Sequence, residues 1–216
     1  MAIYLDSALI SEAETVRKWG WVKGITTNPT LLAKSDLSPE ATLKQLRKLT
    51  DGELYYQLTS TDFADMIAEG KAAANLIGRQ IVLKIPATAP GFQVVAELAG
   101  KITCSVTGIY HPAQAMVARE AGAKYAIAYV NRANNLLGDG YKLVTEMKNV
   151  LQGSKTQLLA ASIKSPDQVV ATILAGADHL TLPLSVLEAM TTNELSNQTF
   201  TEFNQNGKGI NWQAKN

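Results

Sequence analysis

Eight short stretches of the chain carry apolar, often β-branched residues in near-continuous runs: AIYLD, GITTN, ELYYQLT, QIVLKIP, ITCSVT, YAIAYV, QLLAAS and HLTLPL. Strands covered on both faces read this way. Between the runs the period changes. In TDFADMIAEGKAAANLIG, Phe63, Ile67, Ala74 and Ile77 recur at helical spacing, and in GDGYKLVTEMKNVLQ, Leu143, Met147 and Val150 do the same. The punctuation agrees with the alternation. Ser38-Pro39, His111-Pro112 and Ser165-Pro166 pair a cap with a proline in the first turn, and Gly78, Gly100, Gly122 and Gly176 stand where helices close. Eight consecutive strand–helix units predict an α/β fold of the (β/α)8 type, a TIM barrel. An open doubly wound sheet is the weaker reading, because the first turn, LDSALISEAE, has no G-x-G-x-x-G fingerprint and no P-loop sequence occurs.

The 216 residues read as one domain, since no Pro-, Ser- or Gly-rich stretch divides them. The alternation stops at FTEFNQNGKGINWQAKN, residues 200–216. This tail, helical or extended, carries Phe200, Phe203 and Trp212, and is expected to dock on another copy of the chain rather than fray. Lys+Arg 20 against Asp+Glu 19 leaves a net charge of +1 with no long like-charge run, which speaks against a nucleic-acid or membrane surface. Cys104 is the only cysteine, so an intrachain disulfide is excluded. The opening MAIYLDSALI lacks a basic segment leading into a long apolar one, and no run approaches the roughly 18 apolar residues of a membrane span. A cytoplasmic protein is expected.

In a barrel of this kind chemistry gathers at the C-terminal ends of the strands. The polar residues there are Asp6; Thr26, Thr27 and Asn28; Gln57 and Thr59; Ser105 and Thr107; Tyr129, followed by Asn131 and Arg132; and Ser162. Taken singly, such residues cap helices and shape turns. Lys84 differs, because it lies inside the apolar run QIVLKIP. Strand alternation places Val82 and Lys84 on one face and Leu83 and Ile85 on the other. If the second pair packs under helices, Lys84 points into the barrel. Burial disfavours the ammonium and favours the free amine that a Schiff-base nucleophile requires. The alternative for Lys84 is a structural ion pair with Asp6. His111 reads as a helix cap, His179 as a strand-entry residue and Cys104 as a packed small hydrophobe; none has metal-ligand spacing.

GITTNPTLL followed by IVLKIPATAPG resembles the paired signatures of the transaldolase family, and the similarity in strand layout covers nearly the whole chain. The resemblance implies a (β/α)8 barrel with its Schiff-base lysine at Lys84 on the fourth strand. It implies that Asp6 and Asn28 bind the dihydroxyacetone portion of a ketose and assist proton transfer, and that Thr107 helps position a water. Within the family the chain looks most like the small fructose-6-phosphate aldolase subgroup. Gln57 stands where transaldolases usually carry a glutamate, Tyr129 where they carry a phenylalanine, and Ser105 where they carry an asparagine.

Lys84, Tyr129, Asp6, Gln57 and Thr107 are therefore the catalytic candidates, and Thr26, Asn28, Ser105, Arg132 and Ser162 the substrate-binding ones. Tyr129, through a water held by Gln57 and Thr107, is the candidate acid and base. Arg132 with Ser162 would hold a phosphate by charge-assisted hydrogen bonds. Sugar phosphates and dihydroxyacetone are the expected small molecules, with no metal or organic cofactor. A transaldolase that passes the dihydroxyacetone unit between sugar phosphates is the main alternative; a phosphosugar isomerase and a noncatalytic sugar-phosphate binder are weaker ones. The resemblance also implies a large homo-oligomer, in small members of the family a decamer of two stacked pentamers.

Overall fold

The computed structural model describes residues 1–210, and the eight apolar runs form eight parallel strands in it. These are β1 (Ile3–Asp6), β2 (Gly24–Thr26), β3 (Glu53–Gln57), β4 (Ile81–Pro86), β5 (Thr103–Ile109), β6 (Tyr125–Tyr129), β7 (Gln157–Ala161) and β8 (His179–Leu182). Each pairs with the next, and β8 returns to β1 through Ile3↔Leu180, Tyr4↔Thr181 and Leu5↔Leu182, which closes the sheet into a barrel. The connections are helical. α1 (Ile10–Trp19) follows β1; α2 (Pro29–Leu32) and α3 (Pro39–Leu49) follow β2; α4 (Phe63–Ile77) follows β3; α5 (Ala89–Leu98) follows β4; α6 (Pro112–Glu120) follows β5. Next come α7 (Val130–Leu137) and α8 (Gly140–Leu151) after β6, α9 (Pro166–Leu174) after β7, then α10 (Leu184–Ala189) and α11 (Glu194–Asn206) after β8.

Alternation along the strands divides the apolar residues between two cores. Leu5, Leu54, Leu83, Ile85, Val106, Ala126, Leu158 and Leu180 pack outward beneath the helices. Tyr4, Tyr55, Val82, Tyr125, Ile127, Leu159 and Ala161 fill the barrel interior. Fully burying one Leu or Ile side chain contributes about 1.5–3 kcal/mol, so the face chosen by Leu83 and Ile85 fixes the register of β4. Lys84 consequently points inward, as the alternation requires.

Two helices use a different stripe from the one their large residues suggest. On α4 the buried residues are Met66, Gly70, Ala73 and Ile77, and Phe63 is 42 % exposed. Small residues win because the helix approaches β4 closely: a Cβ at Gly70 would lie 3.0 Å from Leu83 Cδ1 and 3.2 Å from Leu98 Cδ1. On α8 Leu143 and Met147 are buried as the spacing predicts, but Val150 is only half-buried and the stripe runs instead through Val144 and Leu151. The caps behave as expected. Ser38, His111 and Ser165 accept backbone N–H groups at the starts of α3, α6 and α9, and each is followed by proline.

The tail begins earlier than its composition suggests. Asn193 caps α11 by accepting from Leu195 N and Ser196 N at 3.0 and 3.3 Å, so the helix is under way six residues before Phe200. No residue of α11 is buried, and Leu195, Phe200 and Phe203 are all exposed. Trp212 lies outside the described residues. Among the described residues no helix is long and apolar enough to cross a membrane.

Candidate active site

The C-terminal strand ends surround a cleft of about 430 Å³ lined by Asp6, Asn28, Pro29, Thr30, Leu31, Gln57, Lys84, Tyr129, Arg132, Ala161, Ser162 and Lys164. The barrel collects these residues through its register. Asp6 sits opposite Thr26 across β1 and β2, Gln57 opposite Lys84 across β3 and β4, and Tyr129 opposite Ala161 across β6 and β7.

Lys84 is 2 % exposed. Its Nζ donates to Thr27 O at 3.0 Å, and it takes part in none of the ion pairs found among the described residues. The alternative of a Lys84–Asp6 pair is therefore not realised. Asp6 Oδ1 instead accepts from Thr26 Oγ1 at 2.7 Å. The carbonyl that meets the amine belongs to a residue that is itself fixed, since Thr27 Oγ1 donates to Tyr55 O at 2.7 Å. A lysine nitrogen buried at the base of the cleft, bonded to a carbonyl and with no carboxylate in ion-pair range among the described residues, is placed to attack an electrophilic carbon.

The opposite wall is aromatic and cationic. β6 passes into α7 without a loop, which sets Tyr129 at the helix start and Arg132 in its first turn. Tyr129 Oη lies 2.8 Å from Thr107 Oγ1, and Arg132 Cζ stands 5.5 Å from the Tyr129 ring centroid, a cation–π distance. Ser162 has φ 59, in the left-handed region that a serine occupies at a cost of roughly 1–3 kcal/mol. Asn131 N donates to Ser162 O at 2.9 Å. Gln57 Oε1 is buried without a hydrogen-bond partner among the described residues. An unmatched buried amide costs stability through its desolvation.

Of the ten residues singled out from the sequence, Asp6, Asn28, Gln57, Lys84, Tyr129, Arg132 and Ser162 line the cleft. Thr26, Ser105 and Thr107 do not. Thr107 reaches the cleft through Tyr129, and Thr26 through Asp6. Ser105 is buried with its hydroxyl donated to Leu83 O at 2.9 Å, so that hydroxyl is committed to the neighbouring strand. Asn28 also has a structural duty: its Oδ1 accepts from Leu31 N at 2.9 Å and caps α2, ahead of Pro29. Pro29, Thr30, Leu31, Ala161 and Lys164 also line the cleft without having been singled out, and of these only Lys164 is charged. The signal was present, a second cation two residues beyond Ser162 in the segment after β7.

The remaining singled-out residues have ordinary structural roles. His111 Nδ1 accepts from Ala113 N as the α6 cap. His179 opens β8 and accepts from Ala2 N at 3.0 Å. Burial pushes the Cys104 thiol up to about 12, which leaves it inert as a nucleophile. Among the described residues no group of His, Cys, Asp and Glu could hold a metal ion.

Comparison with known proteins bears on the fold and the family. A solved orotidine 5'-monophosphate decarboxylase from Metallosphaera sedula matches with a TM-score of 0.61 at 15 % identity over 88 % of this chain and 98 % of its own, a likeness of fold alone. The chain is 35 % identical over 199 residues to a probable transaldolase of Aquifex aeolicus, covering 91 % of each protein. It is 31 % identical over 221 residues to a probable transaldolase of Thermoplasma acidophilum, covering 100 % of this chain and 99 % of the relative. The family model described as transaldolase/fructose-6-phosphate aldolase matches residues 3–214, and with it the closed barrel and its polar mouth find their place: the chain belongs to the transaldolase/fructose-6-phosphate aldolase family.

Proposed function

We propose that the protein is a Schiff-base aldolase that cleaves or forms fructose 6-phosphate, with dihydroxyacetone and glyceraldehyde 3-phosphate as the other partners. The observation that carries this reading is Lys84, an inward side chain at the base of the cleft whose one hydrogen-bond partner among the described residues is a backbone carbonyl. The amine adds to the C2 carbonyl carbon, its proton passes to the oxygen, and water leaves as the C=N bond forms. The resulting iminium takes up the C3–C4 bonding electrons once the C4 hydroxyl proton is removed. Glyceraldehyde 3-phosphate departs, and a dihydroxyacetone enamine stays on Lys84. Protonation at C3 and addition of water to the iminium release dihydroxyacetone and restore the amine.

Asp6 and Asn28 bind the dihydroxyacetone end and assist these proton movements. Tyr129 is the acid and base, with Gln57 and Thr107 helping to hold the water; its hydrogen bond to Thr107 and the unpartnered Gln57 Oε1 support that assignment. Arg132 and Ser162, joined by Lys164, give the cleft a cationic end suited to the substrate phosphate. Transfer of the enamine to an aldose acceptor, the transaldolase reaction, is the second reading, and the description given to both relatives favours it.

Treatment with dihydroxyacetone and borohydride, followed by peptide mass spectrometry, tests the core of the proposal. A reduced adduct on Lys84 is expected, and an unmodified Lys84 overturns it. The reading includes a cytoplasmic homo-oligomer, since a 13-residue helix with no buried side chain and two exposed phenylalanines is marginal by itself. Because α11 starts at Glu194, the informative truncation ends at Asn193: light scattering should give a smaller assembly for it than for the full chain, and equal monomeric masses would refute the oligomer.

A further inference from the structure

Thr181 on β8 has no part in the reading above, yet its hydroxyl ends a chain of hydrogen bonds that leads to the cleft. Asp6 Oδ1 accepts from Thr26 Oγ1 at 2.7 Å, and Thr26 Oγ1 lies 2.6 Å from Thr181 Oγ1. Both threonines are buried. The three residues stand on β1, β2 and β8, and β1 pairs with each of the other two, so the chain spans the seam where the barrel closes.

Proton counting gives these bonds a direction. A hydroxyl carries one proton, and an ionised carboxylate only accepts. Thr26 therefore spends its proton on Asp6, and the second bond must run from Thr181 to Thr26. Thr181 fixes the rotor of Thr26, and Thr26 fixes Asp6 by one oxygen. Packing alone does not call for a hydroxyl here, because the interior positions Val82, Ile127 and Leu159 are filled by apolar side chains and valine has nearly the volume of threonine. A buried hydroxyl is unfavourable unless it is bonded, and this one is bonded to the one group that holds the Asp6 carboxylate among the described residues.

We propose that Thr181 is a positioning residue which, through Thr26, orients the Asp6 carboxylate for the proton transfers that accompany imine formation at Lys84. The proposal rests on the Schiff-base reading. Thr181→Val should lower kcat for fructose 6-phosphate cleavage roughly tenfold, the factor that corresponds to about one hydrogen bond. KM should stay within about twofold, because Thr181 does not line the cleft. The rate at which dihydroxyacetone becomes trappable on Lys84 by borohydride should fall with kcat, and Thr181→Ser should restore both. In a Thr26→Val background, Thr181→Val should have no further effect, since the relay is already cut.

An unchanged kcat in folded Thr181→Val, a failure of Thr181→Ser to restore it, or effects of the two valine substitutions that multiply would each overturn the proposal. If Thr181→Val does not fold, Thr181→Cys carries the same test, its thiol being too weak a donor to replace the hydroxyl. A wild-type chain that never traps an adduct removes the Schiff-base reading and this proposal together. A wild-type adduct with an unaltered trapping rate in Thr181→Val overturns this proposal alone.

Discussion

At the N-terminal end of the barrel Lys124, Glu53 and three tyrosines close on one another; at the C-terminal end Lys84, Asp6 and Tyr129 do not. Glu53 accepts from Lys124 Nζ at 2.7 Å, and from the hydroxyls of Tyr4, Tyr55 and Tyr125 at 2.9, 3.0 and 2.9 Å. Burial alone would raise the Glu53 carboxyl, but the bonds from Lys124 and Tyr4 outweigh it and hold it below the ordinary carboxylate range. Burial likewise pushes the Tyr4 and Tyr55 phenols well above their usual value. The same three chemistries at the other end are left apart, with Lys84 on a carbonyl, Asp6 on Thr26 and Tyr129 on Thr107. Side-chain identity thus does not distinguish a structural plug from a reactive site. Saturation does: a carboxylate that has used its lone pairs holds the fold, and an amine without a counterion is available to a substrate.

Opposite outcomes from two lysine- and glutamate-directed changes would sharpen this contrast most. Lys84→Met should abolish imine trapping and reduce fructose 6-phosphate turnover by about 10,000-fold or more, as loss of a covalent nucleophile does. Its unfolding free energy should hardly fall, because no ion pair is broken. A large loss of stability in Lys84→Met would show that the amine is structural after all.

Tyr129→Phe should slow release of free dihydroxyacetone by about 100- to 10,000-fold, the usual worth of general acid–base assistance. Trapping at Lys84 should persist, so transfer to erythrose 4-phosphate should gain relative to cleavage. If Tyr129 merely packs, both rates fall together and the ratio of transfer to cleavage stays fixed, which would remove the main support for an aldolase over a transaldolase.

Glu53→Ala is the converse experiment. It strips three phenols and an ammonium of their acceptor, and the partly exposed Lys124 can still find water, so a loss of about 3 kcal/mol is expected in urea unfolding. Turnover measured well below the unfolding transition should be unchanged. A fall in kcat without a fall in stability would break the comparison between the two ends.

The architecture and the upper end were legible in the sequence for different reasons. Eight apolar runs, each bounded by caps and glycines, left few alternatives to a closed barrel, and Lys84 stood out because a lysine in QIVLKIP contradicts its surroundings. Glu53, Lys124 and the tyrosines gave no such signal. Glu53 opens its strand and Lys124 directly precedes one, where charged residues are commonplace, and only barrel closure brings β1, β3 and β6 together on one carboxylate. Thr181 was hidden for the same reason, its partner lying 155 positions away. The buried face of α4 is not legible in the sequence, because large residues mark a buried face poorly where the helix must come close, and Gly70 is silent in any hydrophobic pattern. The role of Ser105 depended on a hydroxyl direction that residue type does not encode.

The smallest expected effect concerns acid, and it separates two groups at the plugged end. His179 is buried at the start of β8, where its Nδ1 accepts from Ala2 N across the seam. Burial holds its pKa below the ordinary value; Asp178 and Glu53 oppose that shift, while the amino terminus and Lys124 reinforce it. A folded-state pKa below the unfolded one means that the unfolded chain binds the proton more readily. The His179 contribution is therefore complete above about pH 6.5 and is lost as pH falls through the lower folded value. Glu53 follows the same sign at lower pH, its contribution complete above the unfolded carboxyl range and lost as pH falls through its depressed value. Urea unfolding at pH 7.5, 6.5, 5.5 and 4.5 (~1 unit apart) should show a first decline well under about 1.4 kcal/mol per pH unit, the limit for one proton reduced by solvent screening. His179→Gln keeps an acceptor for Ala2 N but does not titrate, so it should flatten the first decline and leave the later one in place. A first decline that survives His179→Gln would assign it to another group and would reduce the acid-sensitive part of the plug to Glu53.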